Sequence, residues 1–369
     1  MAAPLRSRTS AVSAPVPPGA YLPPDDRWGS FEELARDVPE GAVVVIDRRV
    51  ARLHPRLAAA VREREPRAVV SLAGAEDSKS LAALERIAVA GRGLPRSGAL
   101  VAVGGGTIGD VSTVAAHLIK RGVALLHVPT TVLAAVDSSL GGKGAVNLGD
   151  GKRGAVKNAL GVFHYPRRTW ICPDLFRTLP PAQVREGLTE AWKMAVCLDA
   201  RTWAAWHSAP PELDEVIRVA RALKARVCAE DPYEQRGIRE VLNFGHTFGH
   251  VIESLSRFRV RHGDAVGLGM LCALDVGRAL GITDEELAQA VETQLQRVPG
   301  ILPRSRLAKV LAGHQASALE DLLRADKKTA PGGELRMVLL RRIGEWVLEP
   351  VRPASWRALV PAWKEGWTP

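Results

Sequence analysis

The residues best suited to chemistry lie between Val241 and Met270, a stretch that holds three histidines. His246 and His250 are four residues apart in a helix-like segment, so we expect their side chains on one face, where a metal ion or an anionic substrate could meet both. His262 opens HGDAVGLGM, which is typical of the start of a second helix. If the turn folds this helix back beside the first, the three imidazoles converge. The spacing alone does not establish a metal site, because H-x-x-x-H pairs also occur in helices that bind no metal.

A second predicted helix, GLTEAWKMAV, carries a carboxylate and an ammonium group on one face. Glu190 and Lys193 are three residues apart, and a surface ion pair is the ordinary explanation for that spacing. A carboxylate is also the group that two or three histidines need to complete a zinc site that leaves one position open to substrate.

A glycine-rich turn follows a predicted strand in ALVAVGGGTIGD, and a helix is expected to begin near Thr107. Backbone without side chains lets a pyrophosphate come close, and a helix N-terminus offers it free N–H donors. The turn is not the standard G-x-G-x-x-G, and an ordinary tight turn would look similar.

Polar residues also cluster in VPTTVLAAVDSSLGGKGAV, just after the next predicted strand. Thr130 and Thr131 follow the strand, Asp137 and Ser138 fall in the next turn or helix, and Lys143 lies in a glycine-rich loop. Ligands of open α/β sheets bind at the carboxyl ends of strands, so we expect these groups to face a crevice. Helix capping would explain the threonines but not the whole group.

The elements that must position these residues divide the chain in two. Short β-branched runs at 43–47, 68–74, 99–106 and 124–131 alternate with helical patterns, which predicts a parallel sheet covered on both faces. From about residue 179 the patterns are helical, except for a hairpin expected in ELRMVLLRRIGEWVLE. The predicted fold class is α/β: a disordered tail (1–26), an N-terminal Rossmann-like parallel-sheet domain (27–178), and a mostly α-helical domain for metal and substrate (179–369).

Composition narrows the range of partners. The chain has 369 residues, which exceeds the usual size of a domain with a single hydrophobic core, so we expect two domains. Its 46% hydrophobic and 24% charged residues are typical of a globular protein. No apolar run is long enough to span a bilayer, the N-terminus has no signal-peptide core, and the four cysteines are scattered singly, so the expected location is the cytoplasm. The net charge of +10 comes from dispersed basic residues, which favours a small anionic substrate over nucleic acid or a membrane.

Five motifs, taken together, resemble one family. GGGTIGD, VPTTVLAAVDSSLGGK, GLTEAWKMA, LNFGHTFGHVIE and HGDAVGLGM occur in the order and near the spacings of the 3-dehydroquinate synthase family, within the wider sugar phosphate cyclases. The resemblance runs from about residue 43 to beyond residue 328.

The resemblance implies a role for each matching residue. Glu190, His246 and His262 would bind a catalytic zinc ion, with cobalt as the alternative metal, whereas His250 would lie beside the substrate and take part in proton transfer. NAD would contact Asp47, Glu76, Lys79, Gly104, Gly105, Gly106, Asp110, Thr130, Thr131, Asp137, Ser138 and Thr178. The substrate and its chemistry would involve Arg121, Asp137, Lys143, Lys157, Asn158, Lys193, Lys224, Arg239, Asn243, His250, Lys327 and Lys328. Arg121 resembles the arginine that reaches the neighbouring subunit's active site, which implies a homodimer.

Two segments depart from the family pattern. The stretch between Lys143 and Leu160 is about five residues longer, so the family's Lys-Asn pair could be Lys157 and Asn158, or the count could select Lys152 and Arg153. We prefer the former, which keeps the following apolar segment in register. The stretch before His246 is one residue longer, which makes Arg239 a firmer assignment than Glu234.

The implied reaction converts a seven-carbon sugar acid phosphate to 3-dehydroquinate and phosphate in the shikimate pathway, with transient oxidation by NAD, phosphate elimination, re-reduction and aldol closure. A Lys- and Arg-rich site suits a substrate with both a carboxylate and a phosphate. The alternatives are another sugar phosphate cyclase, a metal-dependent polyol dehydrogenase of related build, and a scaffold protein without turnover.

Overall fold

The structure is a computed structural model that describes residues 20–149, 156–298, 301–325 and 334–366. Its strands are β1 (Asp26–Trp28), β2 (Val43–Asp47), β3 (Ala68–Leu72), β4 (Ala99–Gly104), β5 (Ala124–Pro129), β6 (Lys143–Leu148), β7 (Val156–Phe163), β8 (Arg168–Ile171), β9 (Leu335–Arg342) and β10 (Glu345–Val351). Its helices are α1 (Phe31–Asp37), α2 (Arg48–Leu53), α3 (Pro55–Arg62), α4 (Leu81–Ala90), α5 (Gly106–Leu118), α6 (Pro181–Leu198), α7 (Ala200–Ser208), α8 (Leu213–Glu230), α9 (His246–Leu255), α10 (His262–Ala279), α11 (Glu285–Arg297), α12 (Arg304–Leu311), α13 (Ala316–Ala325), α14 (Pro353–Arg357) and α15 (Val360–Glu365).

Six strands form one sheet in the order β1-β8-β5-β4-β2-β3. β2 pairs in parallel with β3 and with β4, and β5 pairs in parallel with β8. The inner strands are continuous apolar runs, because both faces of a parallel sheet are covered; β4 is buried along its whole length. The four strands expected from the β-branched runs are present, and the Rossmann-like α/β fold class is confirmed.

Helices α4 and α5 supply much of the cover on this sheet. Ile87 of α4 and Val111 of α5 pack with Val43, Leu72 and Leu100 in one apolar cluster. α5 begins directly after β4, with Gly105 as its N-cap, as the glycine-rich turn predicts. Burial of this cluster removes apolar surface from water at about 25 cal/mol per Å², and it fixes the end of β4 against the start of α5.

The loop expected around Lys143 is instead a strand, which corrects the sequence-based interpretation. β6 starts at Lys143 and pairs antiparallel with β7. β6 lies close against α5, because a Cβ on Gly144 would stand 2.4 Å from Cβ of Thr113. The many glycines around Lys143 are typical of a loop. In the structure, however, Gly144 is required because β6 approaches α5 so closely that no side chain fits. Lys152 and Arg153 lie outside the described residues.

Part of the expected disordered tail has a defined position. The ring of Tyr21 stands edge-on to the ring of Tyr165, with 5.0 Å between centroids. Asp25 accepts a hydrogen bond from Nε of Arg168 at 2.8 Å, and β1 begins at the next residue. Residues 1–19 lie outside the described residues.

The second half of the chain is mostly helical, as its patterns predict. α10 packs against α9 and α6, and α6 also packs against α8. α10 is buried around most of its circumference, which suits a central helix rich in Gly, Ala and Leu. The expected late hairpin is β9–β10, and Gly344 in its turn has φ of +82°.

Contacts between Cα atoms divide the chain into two compact units. The first comprises residues 1–128 and 142–170, and the second comprises residues 129–141 and 171–369. The segment with Thr130, Thr131, Asp137 and Ser138 therefore belongs to the helical unit, although the strand that leads into it belongs to the sheet. Among the described helices, none is both long and apolar enough to cross a membrane.

Candidate metal and active site

Glycines allow three helices of the second unit to approach closely enough to share a site. A Cβ on Gly269 of α10 would stand 2.0 Å from the carbonyl oxygen of Gly245, which precedes α9. A Cβ on Gly263, in the first turn of α10, would stand 2.5 Å from Cα of Glu186 in α6. Backbone contact at these two positions brings the starts of α9 and α10 against the middle of α6.

Glu190, His246 and His262 meet at this junction. Nε2 of His246 lies 3.6 Å from Oε1 of Glu190, and Nε2 of His262 lies 3.7 Å from the same oxygen. One ligand atom from each residue lies within 4.8 Å of the other two. Glu190 is buried, whereas the two histidines are partly exposed.

These three residues fit a divalent metal ion. Oε2 of Glu190 contacts the ammonium group of Lys193, but Oε1, although buried, accepts no hydrogen bond within the described part of the chain. A buried acceptor without a donor is costly, and a bound cation would satisfy it. Two imidazoles and a carboxylate are the ligand set of catalytic zinc sites that keep a fourth position for water or substrate.

A second carboxylate orients one of the two histidines. Oε2 of Glu253 lies 3.4 Å from Nδ1 of His262, on the side of the ring away from Glu190. Burial by itself would lower the pKa of His262, but the hydrogen bond with Glu253 and the charge of Glu190 raise it above the usual value. A carboxylate on the outer nitrogen of a histidine ligand fixes the tautomer and the ring orientation.

His250 lies one turn along α9 from His246, as the spacing predicts. Its ring centroid is 5.6 Å from that of His246 and 6.4 Å from that of His262. The three imidazoles therefore converge, but His250 is not among the residues whose ligand atoms cluster around one point.

Cationic side chains surround Asp137 in the same unit. Nζ of Lys224 donates to Oδ1 of Asp137 at 2.7 Å and to its carbonyl oxygen at 2.5 Å. Burial opposes ionisation of Asp137, but the ammonium groups of Lys224 and Lys193 outweigh it and lower the pKa to about 2. His262 also contributes to this field, so the carboxylate faces the histidine cluster. Asp137 is therefore a carboxylate at neutral pH.

Lys193 links this group to the metal-ligand cluster. Its ammonium group contacts the carboxylate of Glu190 and donates to the carbonyl oxygen of Leu242. The side chain is almost fully buried, with a relative exposure of 3%. The ordinary explanation, a surface ion pair, is thereby excluded for Glu190 and Lys193.

Arg239 is held by a loop that Asp231 organises. The carboxylate of Asp231 accepts backbone N–H bonds from Gln235, Arg236 and Ile238 at 2.9, 3.2 and 3.1 Å. Nη1 of Arg239 donates to the carbonyl oxygens of Gly141 and Pro232. Gly141 lies beside Lys224 as well, since its Cβ would stand 3.5 Å from Cε of that lysine. Two buried cations thus lie close to one glycine.

Asn243 ends a short 3-10 helix (Ile238–Asn243), and its side chain bonds within that helix. Nδ2 of Asn243 donates to Glu240 at 2.7 Å. Glu234, the less firm assignment from the sequence, lies with Oε1 3.8 Å from Nε of Arg239.

A second polar cluster lies in the first unit, centred on Lys79. Its ammonium nitrogen is 2.7 Å from Oδ2 of Asp110 in α5 and donates to Asn158 of β7 at 2.5 Å. Asn147 of β6 donates to Glu76 at 2.9 Å and accepts from the backbone of Asn158 at 2.8 Å. The chain brings together four residues that the resemblance assigns to NAD or to substrate, although they are far apart in sequence.

Asp47 and the glycine-rich turn occupy the ends of neighbouring strands in this unit. Asp47 caps α2, since Oδ1 accepts from the backbone of Arg49 at 2.8 Å. A Cβ on Gly74 would stand 2.0 Å from Oδ2 of Asp47, so the ends of β2 and β3 approach closely. Gly104, Gly105 and Gly106 join β4 to α5.

The other predicted residues range from buried to exposed positions. Thr131 caps its own segment by accepting from the backbone of Ala134 at 3.1 Å, Thr130 is buried, and Ser138 ends a short π-helix. Three cations of the first unit and one threonine of the second are exposed: Arg121, Lys143, Lys157 and Thr178. Lys327 and Lys328 lie outside the described residues.

Some residues that shape the site carry no motif in the sequence. Arg221 is buried and donates to the carbonyl oxygen of Ala135 and to Oγ of Ser139 at 3.0 Å, which fixes the segment that carries Asp137. Glu253 could have been found from its position in LNFGHTFGHVIE, but the hydrogen bonds described for Arg221 and Asn147 reach partners at least 11 residues away in the chain.

Comparison with known proteins defines the family. A family model described as 3-dehydroquinate synthase N-terminal matches residues 69–186, and one described as 3-dehydroquinate synthase C-terminal matches residues 187–329. A 3-dehydroquinate synthase of Methylococcus capsulatus is 38% identical over 336 residues, which covers 87% of this chain and 89% of that one.

Solved structures show the wider class. A 2-deoxy-scyllo-inosose synthase complexed with carbaglucose-6-phosphate, NAD+ and Co2+ superposes with a TM-score of 0.79 and 27% identity, covering 93% of this chain and 96% of that one. A 2-epi-5-epi-valiolone synthase of Streptomyces hygroscopicus subsp. jinggangensis has the same fold, with a TM-score of 0.75, 24% identity and coverage of 94% and 98%.

The fold and the clustered Glu190, His246 and His262 are those expected of the sugar phosphate cyclase class. Within that class the chain belongs to the 3-dehydroquinate synthase family, since the two family models together match well over half of it.

Proposed function

We propose that this chain catalyses the 3-dehydroquinate synthase reaction. The substrate is 3-deoxy-D-arabino-heptulosonate 7-phosphate, and the products are 3-dehydroquinate and phosphate, a step towards the aromatic amino acids. The observation that carries the proposal is the junction of Glu190, His246 and His262 with the buried cations Lys193, Lys224 and Arg239. Family membership and the 38% identity to a relative of that name support it.

We propose Glu190, His246 and His262 as ligands of a divalent metal ion, zinc or cobalt. Such an ion would act as a Lewis acid on the substrate alcohol that is oxidised. The unpaired Oε1 of Glu190 supports this assignment, as does the cobalt ion in the 2-deoxy-scyllo-inosose synthase structure. Glu253 would then act as a positioning residue for His262.

We propose NAD as the second cofactor, with the residues that the resemblance implies as its contacts. It would accept a hydride from the substrate and later return it, so that no net oxidation occurs. In the first unit, Asp47, Glu76, Lys79, Asp110 and the glycines at 104–106 would bind it. In the second unit, Thr130, Thr131, Asp137, Ser138 and Thr178 would do so.

The buried cations of the second unit suit the carboxylate of the substrate. Lys224 and Arg239 both lie beside Gly141, and the loop around Asp231 holds Arg239 in place. A fixed guanidinium loses little conformational freedom when a carboxylate binds. We therefore propose Lys224, Arg239 and Asn243 as the carboxylate site, with Lys193 and Asp137 at the reacting alcohol and His250 as the proton-transfer residue.

The exposed cations of the first unit suit the phosphate of the substrate. Lys143, Lys157 and Asn158 lie on the antiparallel pair β6–β7, and the late lysines 327 and 328 would complete this set. Arg121 lies in a turn with φ of +63° and has an exposed side chain. We propose that it contacts the phosphate bound in the second subunit of a homodimer.

The dimer proposal has its own test. A mixture of Arg121→Ala protein with Lys224→Ala protein would form heterodimers that retain one intact site. Recovery of activity on mixing two inactive variants supports a shared site, and a mixture that stays as inactive as its components contradicts it.

A cytoplasmic location belongs to the same proposal. All four cysteines are buried thiols, and burial raises the pKa of Cys197 and Cys272 above the usual range. Buried, protonated thiols suit a reducing compartment.

The second candidate function is another sugar phosphate cyclase, which the TM-score of 0.79 to 2-deoxy-scyllo-inosose synthase favours. The deciding experiment offers purified, metal-loaded protein and NAD three substrates in parallel: the acidic seven-carbon phosphate, sedoheptulose 7-phosphate and glucose 6-phosphate. Phosphate release from the acidic substrate alone is the expected result. Turnover of only a neutral sugar phosphate would overturn the proposal, and steady accumulation of NADH would indicate a dehydrogenase.

A further inference from the structure

A basic cleft lies in the second unit, at the turn between α9 and α10 and along α12. Two neighbouring cavities of about 300 Å³ and about 320 Å³ open there. Both are lined by Arg259, Val260, Arg306 and Lys309. Their size is that of a small-molecule site.

The charge of the basic cleft is strongly positive. Arg259, Arg306 and Lys309 line both cavities, and His314 lines the second. Among the described residues that line the two cavities, the one carboxylate is Asp264, in the first cavity, and it already faces Arg185, Arg261 and Arg306. Within the described residues, none of the three lining cations forms an ion pair with a carboxylate. Asp264 therefore offsets part of the charge of Arg306, whereas the charges of Arg259 and Lys309 are available to a ligand.

Arg259 is held in place before any ligand arrives. Its Nε donates to the carbonyl oxygen of Ser256 at 3.1 Å. Oγ of Ser256 in turn donates to the carbonyl oxygen of Glu253 and accepts from the backbone of Val260. With Nε occupied, the two terminal nitrogens of the guanidinium remain as a fork of donors, and its immobilisation lowers the entropy cost of binding.

We propose that the basic cleft binds the phosphate group of a small molecule. Arginine matches phosphate with two parallel hydrogen bonds, and a lysine adds a point charge beside it. The three cations converge on cavities instead of forming an extended stripe, which disfavours nucleic acid as the ligand. Two sources share this chemistry, namely free phosphate ion and a phosphate monoester.

This cleft is distinct from the proposed active site. His262 begins α10, and its Nε2 lies near Glu190, whereas Asp264, two residues later on the helix, lines the cleft. Residues two apart on a helix point to nearly opposite sides. Of the proposed metal, NAD and substrate residues that the structure describes, none lines either cavity.

The test compares two double variants of the full-length protein by isothermal titration with inorganic phosphate. Arg306→Ala/Lys309→Ala removes two cleft cations, and Arg297→Ala/Arg341→Ala removes two exposed cations elsewhere in the same unit. All four side chains are exposed, so both variants should unfold at the temperature of the unaltered protein. Glycerol 3-phosphate serves as the second ligand.

We expect the cleft variant to lose one phosphate-binding event, or to weaken it at least about tenfold, while the control variant keeps it. Tighter binding of glycerol 3-phosphate than of phosphate identifies a monoester as the ligand, and the reverse order identifies the free ion. Identical phosphate isotherms for the two variants would overturn the proposal. Release of phosphate from substrate should stay within about twofold in both variants, so failure of the proposed function is measured separately.

Discussion

At the scale of single residues, Glu253 decides how firmly His262 is oriented. Its Oε2 lies 3.4 Å from Nδ1 of His262. Glu253→Gln keeps the size of the side chain but removes its charge, so we expect metal affinity to fall by about 10- to 100-fold. Competition with a metal-binding dye measures the dissociation constant directly. Unchanged affinity would show that Glu253 does not position the histidine.

Asp137 gives a second prediction at this scale, on the pH dependence of stability. Its pKa in the folded state is about 2, against a usual value of 3.8. A lowered pKa stabilises the fold above the unfolded-state pKa, and this contribution is lost as the pH falls through the folded-state value. The stability gap between the unaltered protein and Asp137→Asn should therefore shrink between about pH 5 and about pH 2. Denaturant unfolding across that range measures the gap, and a gap independent of pH would contradict the account.

At the scale of elements, the contact between α9 and α10 depends on a glycine. A Cβ on Gly269 would stand 2.0 Å from the carbonyl oxygen of Gly245 and 2.7 Å from the backbone nitrogen of Gly249. Gly269→Ala should separate the helices, lower the free energy of unfolding by about 1–3 kcal/mol and weaken metal binding. Gly313→Ala is the control, because nothing lies within 4 Å of its added Cβ. Equal effects of the two substitutions on unfolding would argue against close packing as the cause.

A buried ion network joins α10, α11, α12 and α15. Arg304 of α12 donates to Asp275 at 2.6 and 3.0 Å and to Glu292 at 2.6 and 2.7 Å. Trp363 of α15 donates to Asp275 at 2.8 Å. This network fixes α15 against α10, the helix that begins with His262.

Removal of Arg304 should leave two carboxylates without their main partner. Arg304→Leu is expected to destabilise the protein by about 3–5 kcal/mol, because an unpaired buried charge is strongly unfavourable. Arg306→Ala, on the exposed side of the same helix, should change stability by no more than about 0.5 kcal/mol. Thermal or denaturant unfolding distinguishes them, and a mild effect of Arg304→Leu would mean that water replaces the guanidinium.

At the scale of the whole molecule, the sequence predicts the order of elements better than the path of the glycine-rich segments. The strands at 43–47 and 124–129 were predictable because both faces of a parallel sheet are apolar. The β6–β7 hairpin was not predictable. Gly144 is required by its contact with Thr113, and a contact between residues so distant in sequence leaves no local pattern.

The candidate site divides in the same way. The four-residue spacing predicts that His246 and His250 share a helix face, but it cannot choose between them. Which histidine is the metal ligand depends on the position of α6, because α6 carries Glu190. Oε1 of Glu190 lies 3.6 Å from Nε2 of His246. Arg221 and Asn147 act through partners distant in the chain, so no motif marks them.

The most direct test of the account is the zinc content of two matched variants, His246→Ala and His250→Ala, measured by mass spectrometry after removal of loosely bound metal. The account predicts that His246→Ala protein loses its zinc, whereas His250→Ala protein keeps most of its zinc and loses turnover. Equal loss of zinc from the two proteins would contradict the assignment of His246 to the metal ion and of His250 to proton transfer.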